Sequence, residues 1–311
     1  MRIFRFPTIV SRGGVKGRKR AAGRWNAAAR FLKAAAFLFL VSFPSGRAMA
    51  GSVSAFVSIL PQADFVERIG GDHVRVGVLV GPGRTPATYE PTPRQVAELA
   101  RADVYFTIGV PFEKGFLSNI SSMVRDLRIV DTREGVTLRY FGDSEGGDSP
   151  DPHIWLDPGR VKVQARVICE ALIRLDPEHQ AVFRERLQGF EARLDRLDKR
   201  IREILEPLRG RNFYVFHPAF GYFADAYGLA QIAVEAEGKE PAPKRLAALI
   251  RRAKQDGARA LFLQPQHGKK QAMAVAREIG AKVVLLDPLP RDYVEGLESM
   301  AETIRKEMDP S

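Results

Sequence analysis

The sequence predicts an α/β protein of two lobes, each with a mainly parallel sheet, bridged by one long helix. Strand-like and helix-like segments alternate from residue 53 onward, which is typical of parallel sheets flanked by helices. In residues 178–208 the apolar side chains are spaced alternately four and three residues apart, with charged residues between them. This spacing predicts an amphipathic helix roughly 45 Å long. We expect a strut between the lobes, with a coiled-coil dimer as the alternative, because the same alternation resumes after the helix.

The segments before the long helix predict the first lobe. Runs rich in β-branched and aromatic residues are assigned as strands, and segments that open with proline or carry helical spacing are assigned as helices. The strands are Val53–Leu60, Val74–Val80, Asp103–Ile108 and Leu127–Asp131, and the helices are one starting near Pro61, Pro93–Ala100 and Phe112–Val124. A Gly- and Pro-containing loop follows the second strand, and a polar loop rich in Gly and Asp covers residues 140–152.

The segments after the long helix predict a second lobe of similar size. Its strands are Phe213–Phe216, Ala230–Glu235, Ala260–Leu263 and Lys282–Leu286, and its helices are Ala219–Tyr227, Pro243–Gln255, Lys270–Ile279 and Val294–Glu307. We therefore divide the chain into residues 51–176 as the N-terminal lobe, 177–209 as the linking helix and 210–311 as the C-terminal lobe.

The net charge of +11 comes from the first fifty residues, which hold eleven Lys or Arg and no Asp or Glu. From totals of 48 basic and 37 acidic residues, this leaves 37 of each sign in residues 51–311. The folded part is therefore formally neutral, and a basic surface for nucleic acid is not expected.

Residues 1–50 read as a signal peptide. A basic stretch precedes the apolar run Ala34–Phe43, and the small-x-small pattern Ala48-Met49-Ala50 follows. The apolar run is too short to span a bilayer. We expect cleavage after Ala50 and a periplasmic protein. The single cysteine, Cys169, lies in a helical pattern far from this site, so we expect neither a lipid anchor nor a disulfide.

Polar side chains follow several predicted strands or the polar loop. His217, His267 and Asp287 come just after strands of the second lobe, and His153 follows the polar loop of the first. Ligands bind at the carboxyl ends of parallel strands, and imidazole with carboxylate suits a first-row divalent ion. The two other histidines, His73 and His179, look like surface residues at a turn and at a helix start, and we assign them no role.

Two segments carry a family resemblance: D-P-H-x-W-L-D-P at 151–158 and F-H-x-A-F-x-Y-F at 216–223. Together with Tyr89-Glu90-Pro91 and Leu286-Asp287-Pro288, they resemble the zinc/manganese-type solute-binding proteins of ABC importers. The resemblance implies a monomer whose interlobe cleft captures Zn²⁺ or Mn²⁺ as transported ligand for a membrane permease, with a rigid helix between the lobes. By position, His153, His217 and Asp287 match the second, third and fourth metal ligands of that family.

The first ligand of the family does not carry over, because Ala87 stands where a histidine is typical. Three replacements stay open: the imidazole of His267, the carboxylate of Glu90, or water. A degenerate site for a non-metal solute or a sensor role is the alternative function. The loop before Asp151 has no histidine, which leaves the choice of metal open. We expect no enzyme activity, because the H-E-x-x-H, G-x-S-x-G and GK[ST] motifs are absent.

Overall fold

A computed structural model describes residues 52–124, 126–141, 149–235 and 241–309. The predicted signal peptide lies outside the described residues, and so does the centre of the polar loop, residues 142–148.

Four parallel strands form the N-terminal sheet in the order β2-β1-β3-β4. They are Val53–Ile59 (β1), Val74–Val80 (β2), Val104–Thr107 (β3) and Arg128–Asp131 (β4), and the helices between them are Leu60–Gly70 (α1), Pro93–Leu99 (α2) and Pro111–Met123 (α3). The central strands β1 and β3 are almost entirely buried, because helices cover both faces of a parallel sheet. Pairing of Val57 with both Val78 and Phe106 fixes the register.

The C-terminal sheet repeats this arrangement in the order β6-β5-β7-β8, again with parallel strands. Its strands are Asn212–Val215 (β5), Ala230–Ala233 (β6), Ala260–Leu263 (β7) and Lys282–Leu285 (β8), and its helices are Gly221–Tyr227 (α6), Pro243–Gln255 (α7), Lys269–Ile279 (α8) and Tyr293–Met308 (α9). In each sheet the chain leaves the first strand in one direction and crosses back to the third strand on its other side. The strand order therefore reverses beside the first strand, where open α/β sheets bind ligands.

The long helix is confirmed. Its main part, Gln180–Leu205 (α5), is flanked by 3₁₀ turns at Pro177–His179 and Glu206–Leu208. Its apolar stripe is buried against α1, α9 and Pro158–Leu175 (α4), a helix whose bounds the sequence did not reveal. Ion pairs from Arg193 and Arg200 to glutamates of α9 reinforce the contact. Since the stripe is covered within the chain, the strut is favoured over the coiled-coil dimer.

Cys169 lies buried in α4, as expected for a small apolar residue. Burial raises the pKa of its thiol to about 11, so little thiolate forms at neutral pH. In the part of the chain that the structure describes, no helix is both long and apolar enough to cross a membrane.

Candidate metal site in the interlobe cleft

A cavity of about 570 Å³ opens between the lobes, on the side where the strands of both sheets end. Residues from both lobes line it, including Gly109 and His153 from the first and His217, Gln264 and His267 from the second. Three of the four side chains chosen from the sequence, His153, His217 and His267, therefore face one cavity.

The topology of the C-terminal sheet explains this convergence. The strand order β6-β5-β7-β8 places the residues after each strand in the spatial order Glu235, His217, His267, Asp287. Neighbouring strands lie about 4.8 Å apart, so side chains at their carboxyl ends come within reach of one another. His217 and His267 follow β5 and β7, the two strands between which the order reverses.

His217 is oriented by two hydrogen bonds. Its backbone carbonyl accepts from Gln264 Nε2 at 3.0 Å, and its ring Nδ1 lies 3.1 Å from Glu235 Oε2. A carboxylate can only accept, so Nδ1 carries the proton and Nε2 keeps a free lone pair. Burial lowers the pKa of His217, and the neighbouring His153 lowers it further against the opposing effect of Glu235. The ring is therefore neutral at pH 7, the form that binds metal ions.

His267 stacks on His217, with ring centroids 4.7 Å apart and planes inclined by 27°. The tight turn after β7 positions it, because its backbone N–H donates to the carbonyl of Gln264 at 3.1 Å. Its pKa is lowered first by burial and then by the imidazole of His217. Two neutral imidazoles thus stand side by side at the end of the sheet.

Glu235 completes what we call the C-lobe cluster: His217, Glu235 and His267. Each member offers a ligand atom, and these atoms lie within 4.8 Å of one another. Glu235 Oε2 is 3.9 Å from His267 Nδ1, and the glutamate side chain is only 12% exposed. Glu235 was not among the site residues predicted from the sequence, although it ends a predicted strand, and that position was the available signal.

His153 approaches the cluster from the N-terminal lobe. Its ring centroid is 5.7 Å from that of His217. Its Nδ1 lies 2.7 Å from Oδ1 of the fully buried Asp151, which also accepts from the His153 backbone N–H at 3.0 Å. The carboxylate fixes the ring orientation and leaves Nε2 free, an arrangement typical of metal-binding histidines.

Asp287 is at the rim. Its side chain is exposed, and Oδ1 accepts from Gln266 Nε2 at 2.9 Å and from the Leu289 backbone N–H at 3.0 Å. Gln266, Pro288 and Leu289 line the cavity around it. The structure thus places Asp287 beside the C-lobe cluster in sheet order, but not among the three residues whose ligand atoms group together.

The loop after β2 brings Ala87 to the cavity that the three histidines also line. Glu90 is exposed and is not among the residues that line the cavity. Of the two protein groups considered as replacements, His267 is the one that the fold brings to the other histidines.

The side-chain oxygen of Gln264 is a further polar atom at the cavity, and no donor in the described part of the chain bonds to it. Gln264 lines the cavity and is 1% exposed, and its side-chain Oε1 has no hydrogen-bond partner among the described residues. An amide oxygen without a donor is costly in a buried position. It suits a site that receives a cation or its bound water.

One hydrogen bond joins the D-P-H-x-W segment to the Leu286-Asp287-Pro288 segment across the cleft. The indole Nε1 of Trp155, from D-P-H-x-W, donates to the carbonyl oxygen of Pro288, from L-D-P, at 2.6 Å. Trp155 is 1% exposed. The tryptophan therefore holds the His153 segment of one lobe against the Asp287 loop of the other.

Comparison with known proteins places this architecture in a family. The family model described as ZnuA, zinc-uptake complex component A, periplasmic, matches residues 56–307. A putative metal-binding protein of Chlamydia trachomatis is 32% identical over 79% of this chain and 88% of its own length. The manganese ABC transporter substrate-binding lipoprotein PsaA of Streptococcus anginosus is 27% identical over 83% of this chain and 88% of its own length.

The fold is shared with solved structures. A crystal structure of ZnuA superposes with a TM-score of 0.78 at 41% identity, covering 83% of this chain and all of that one. These matches confirm the predicted resemblance and the two-lobed α/β fold with its long helix.

Proposed function

Because this chain belongs to the ZnuA family of periplasmic zinc-uptake components, we propose that it captures a divalent transition-metal ion and delivers it to the permease of an ABC importer. The observation that supports this function is the convergence of His153 and the C-lobe cluster on one interlobe cavity. The ion is cargo, so the protein must both hold it and release it.

For the binding site we propose His153, His217 and His267 as the nitrogen ligands. Each is half-buried at the cavity, and for His153 and His217 a carboxylate on Nδ1 leaves Nε2 to face the ion. Asp287 and Glu235 are the candidate carboxylates. Asp287 is bonded to Gln266 in the metal-free protein and would have to leave that partner, whereas Glu235 already lies within the cluster.

For the cargo we propose Zn²⁺ ahead of Mn²⁺. Three imidazoles and one carboxylate form a nitrogen-rich set, which zinc accepts in tetrahedral geometry. Manganese favours carboxylate, carbonyl and water oxygens and binds more weakly to a given nitrogen site. Gln264 Oε1 and the carboxylates of Asp287 and Glu235 are oxygen ligands of the kind that manganese favours. Stronger binding of Mn²⁺ than of Zn²⁺ in direct competition would therefore reverse this choice.

We further propose that the chain acts in the periplasm as a monomeric carrier and not as an enzyme. The basic and apolar order of residues 1–50 supports export. The family consists of solute-binding components of importers, whose partner is a membrane permease. Screening of the metal-loaded protein against hydrolase substrates, with no turnover expected, tests the last point.

The test is a metal titration of protein without a histidine tag, stripped by chelator and reloaded. We expect the cleft to hold one tight equivalent of Zn²⁺ that is lost in His153→Gln/His217→Gln and kept in Glu90→Gln, an exposed carboxylate that does not line the cavity. We expect His267→Ala to weaken this binding at least tenfold, about 1.4 kcal/mol. Less than a tenth of an equivalent of any transition metal after reloading would remove the proposed function. An unchanged affinity in His267→Ala would remove only that ligand.

A further inference from the structure

All five histidines of the chain lie in two groups. Three belong to the cleft, and the other two, His73 of the N-terminal lobe and His179 at the start of the linking helix, contact each other. His73 ends the 3₁₀ turn Gly71–His73 before β2, and His179 ends the 3₁₀ turn before α5. Their imidazoles stack with centroids 3.8 Å apart and planes inclined by 28°.

We propose that His73, Asp176 and His179, the outer cluster, form a second site for a divalent transition-metal ion, separate from the cargo site. The ligand atoms of the three residues lie within 4.8 Å of one another. Asp176 is 8% exposed, and its Oδ2 is 2.6 Å from His179 Nδ1. The chemistry is therefore a buried carboxylate beside two half-buried imidazoles, a donor set that suits Zn²⁺.

The outer cluster offers the same kinds of ligand as the C-lobe cluster, with ring centroids 3.8 Å apart against 4.7 Å. Both hold two imidazoles stacked at nearly the same inclination and one carboxylate bonded to a ring Nδ1. In tetrahedral zinc sites, donors about 2.0 Å from the ion are about 3.4 Å apart. In the outer cluster the bonded Asp176–His179 pair, 2.6 Å apart, would separate by roughly 0.8 Å, and the other ligand atoms, at most 4.8 Å apart, would close by at most about 1.4 Å.

The residues around the outer cluster favour a permanently bound cation over a transported one. Phe183 of α5 packs against both rings, with centroids 6.0 Å from His73 and 6.4 Å from His179. The apolar ring covers one side of the cluster and limits access of water. Asp72 and Glu178 are exposed acidic neighbours in the chain and add negative charge at the open side.

The position of the outer cluster gives it a different role from the cleft. His73 precedes the first residue of β2, whereas the cleft loops follow the last, and a seven-residue strand spans about 23 Å. An ion there would connect the turn before β2 to the start of the linking helix. It would be a structural ion that stabilises the start of the linking helix, and it would not be passed to the importer.

The test uses Zn²⁺ alone, with the untagged protein and a chromophoric competitor chelator. We expect two equivalents in the unchanged protein, one in His73→Gln/His179→Gln and one in His153→Gln/His217→Gln. We also expect Zn²⁺ to raise the thermal midpoint of the cleft variant, and this rise to be lost when His73→Gln is added. Asp176→Asn should weaken the outer equivalent at least tenfold, whereas Glu178→Gln, the matched exposed carboxylate, should leave it within twofold.

Each outcome decides one site. Two equivalents kept in His73→Gln/His179→Gln, or a single equivalent in the unchanged protein that the cleft substitutions abolish, overturns the outer site. If His153→Gln/His217→Gln removes one of two equivalents and the other remains, the outer site is supported. Circular dichroism of each variant without metal confirms that the fold is retained, and Asp176→Asn gives an independent measurement that leaves the histidine pair in place.

Discussion

Replacing Glu235 with glutamine tests the role of a site residue that only the structure revealed. Its Oε2 accepts from Nδ1 of His217 at 3.1 Å and lies 3.9 Å from Nδ1 of His267. Glutamine keeps the size and one acceptor oxygen but removes the negative charge. The neutral amide is a weaker acceptor, so His217 loses basicity and its orientation loosens.

The loss of Zn²⁺ affinity expected for Glu235→Gln depends on whether Glu235 orients a ligand or binds the ion itself. Loss of an orienting partner of a metal-binding histidine costs 10- to 100-fold in affinity, about 1.4–2.7 kcal/mol. Direct ligation has a higher ceiling. A carboxylate oxygen bound about 2 Å from a divalent ion attracts it by about 17 kcal/mol at an effective dielectric constant near 20, before desolvation is subtracted. We expect the smaller range, since the carboxylate is already bonded to His217.

The assay is competition of stripped protein with a chromophoric chelator for Zn²⁺ at pH 7. Glu90→Gln is the matched control, because it removes the same charge from an exposed carboxylate on a cleft loop, and its affinity should stay within twofold. In the His217→Gln background, Glu235→Gln should add little if it acts through the ring. An affinity within threefold of the unchanged protein for Glu235→Gln would refute the reasoning, and a loss above a thousandfold would assign direct ligation.

Three other substitutions or conditions have defined outcomes. Trp155→Phe removes the donor to the Pro288 carbonyl and leaves that buried oxygen unpaired, so we expect a loss of about 1–3 kcal/mol in urea unfolding, and a change below about 0.5 would contradict the interlobe bond. Ala87→His adds an imidazole at the cavity and should tighten Zn²⁺ binding at least tenfold, whereas Thr88→His, one residue along and not among the cavity-lining residues, should not. Because the folded-state pKa of His217 lies below the unfolded value of about 6.5, the metal-free protein should lose stability as the pH falls below that value, and His217→Gln should weaken this dependence in urea midpoints measured with chelator present.

Hydrophobic periodicity predicted the elements well. Helix Pro243–Gln255 and strand Ala260–Leu263 agree at both ends with the structure, and the long helix was found with its flanking turns included. The helices Leu60–Gly70 and Pro158–Leu175 were not delimited. Leu60–Gly70 begins directly after a buried apolar strand, and only Asp157 separates Pro158–Leu175 from the buried turn Ile154–Leu156, so no run of polar residues marks either helix start.

The residues of the candidate metal site were only partly predictable, because local sequence does not determine the order of strands in a sheet. Position after a strand sufficed to select His217 and His267. It did not rank Glu235 above the other 36 acidic residues, since its importance depends on β6 lying beside β5 in the sheet. His73 and His179 were treated as separate surface residues for the same reason: only the tertiary fold brings the turn before β2 and the turn before α5 together.

Ala87 changes how the proposed cargo site is divided between the lobes. With an alanine at that loop, the N-terminal lobe contributes His153 alone, while the C-lobe cluster contributes two imidazoles and a carboxylate. An ion held mainly by one sheet edge keeps most of its ligands whatever the spacing of the lobes. The ligand then most sensitive to lobe position is His153, and the Trp155–Pro288 bond holds its segment against the opposite lobe. Movement of the His153 segment would remove the one ligand that the N-terminal lobe supplies, so loss of the tryptophan donor should speed metal dissociation more than it slows association.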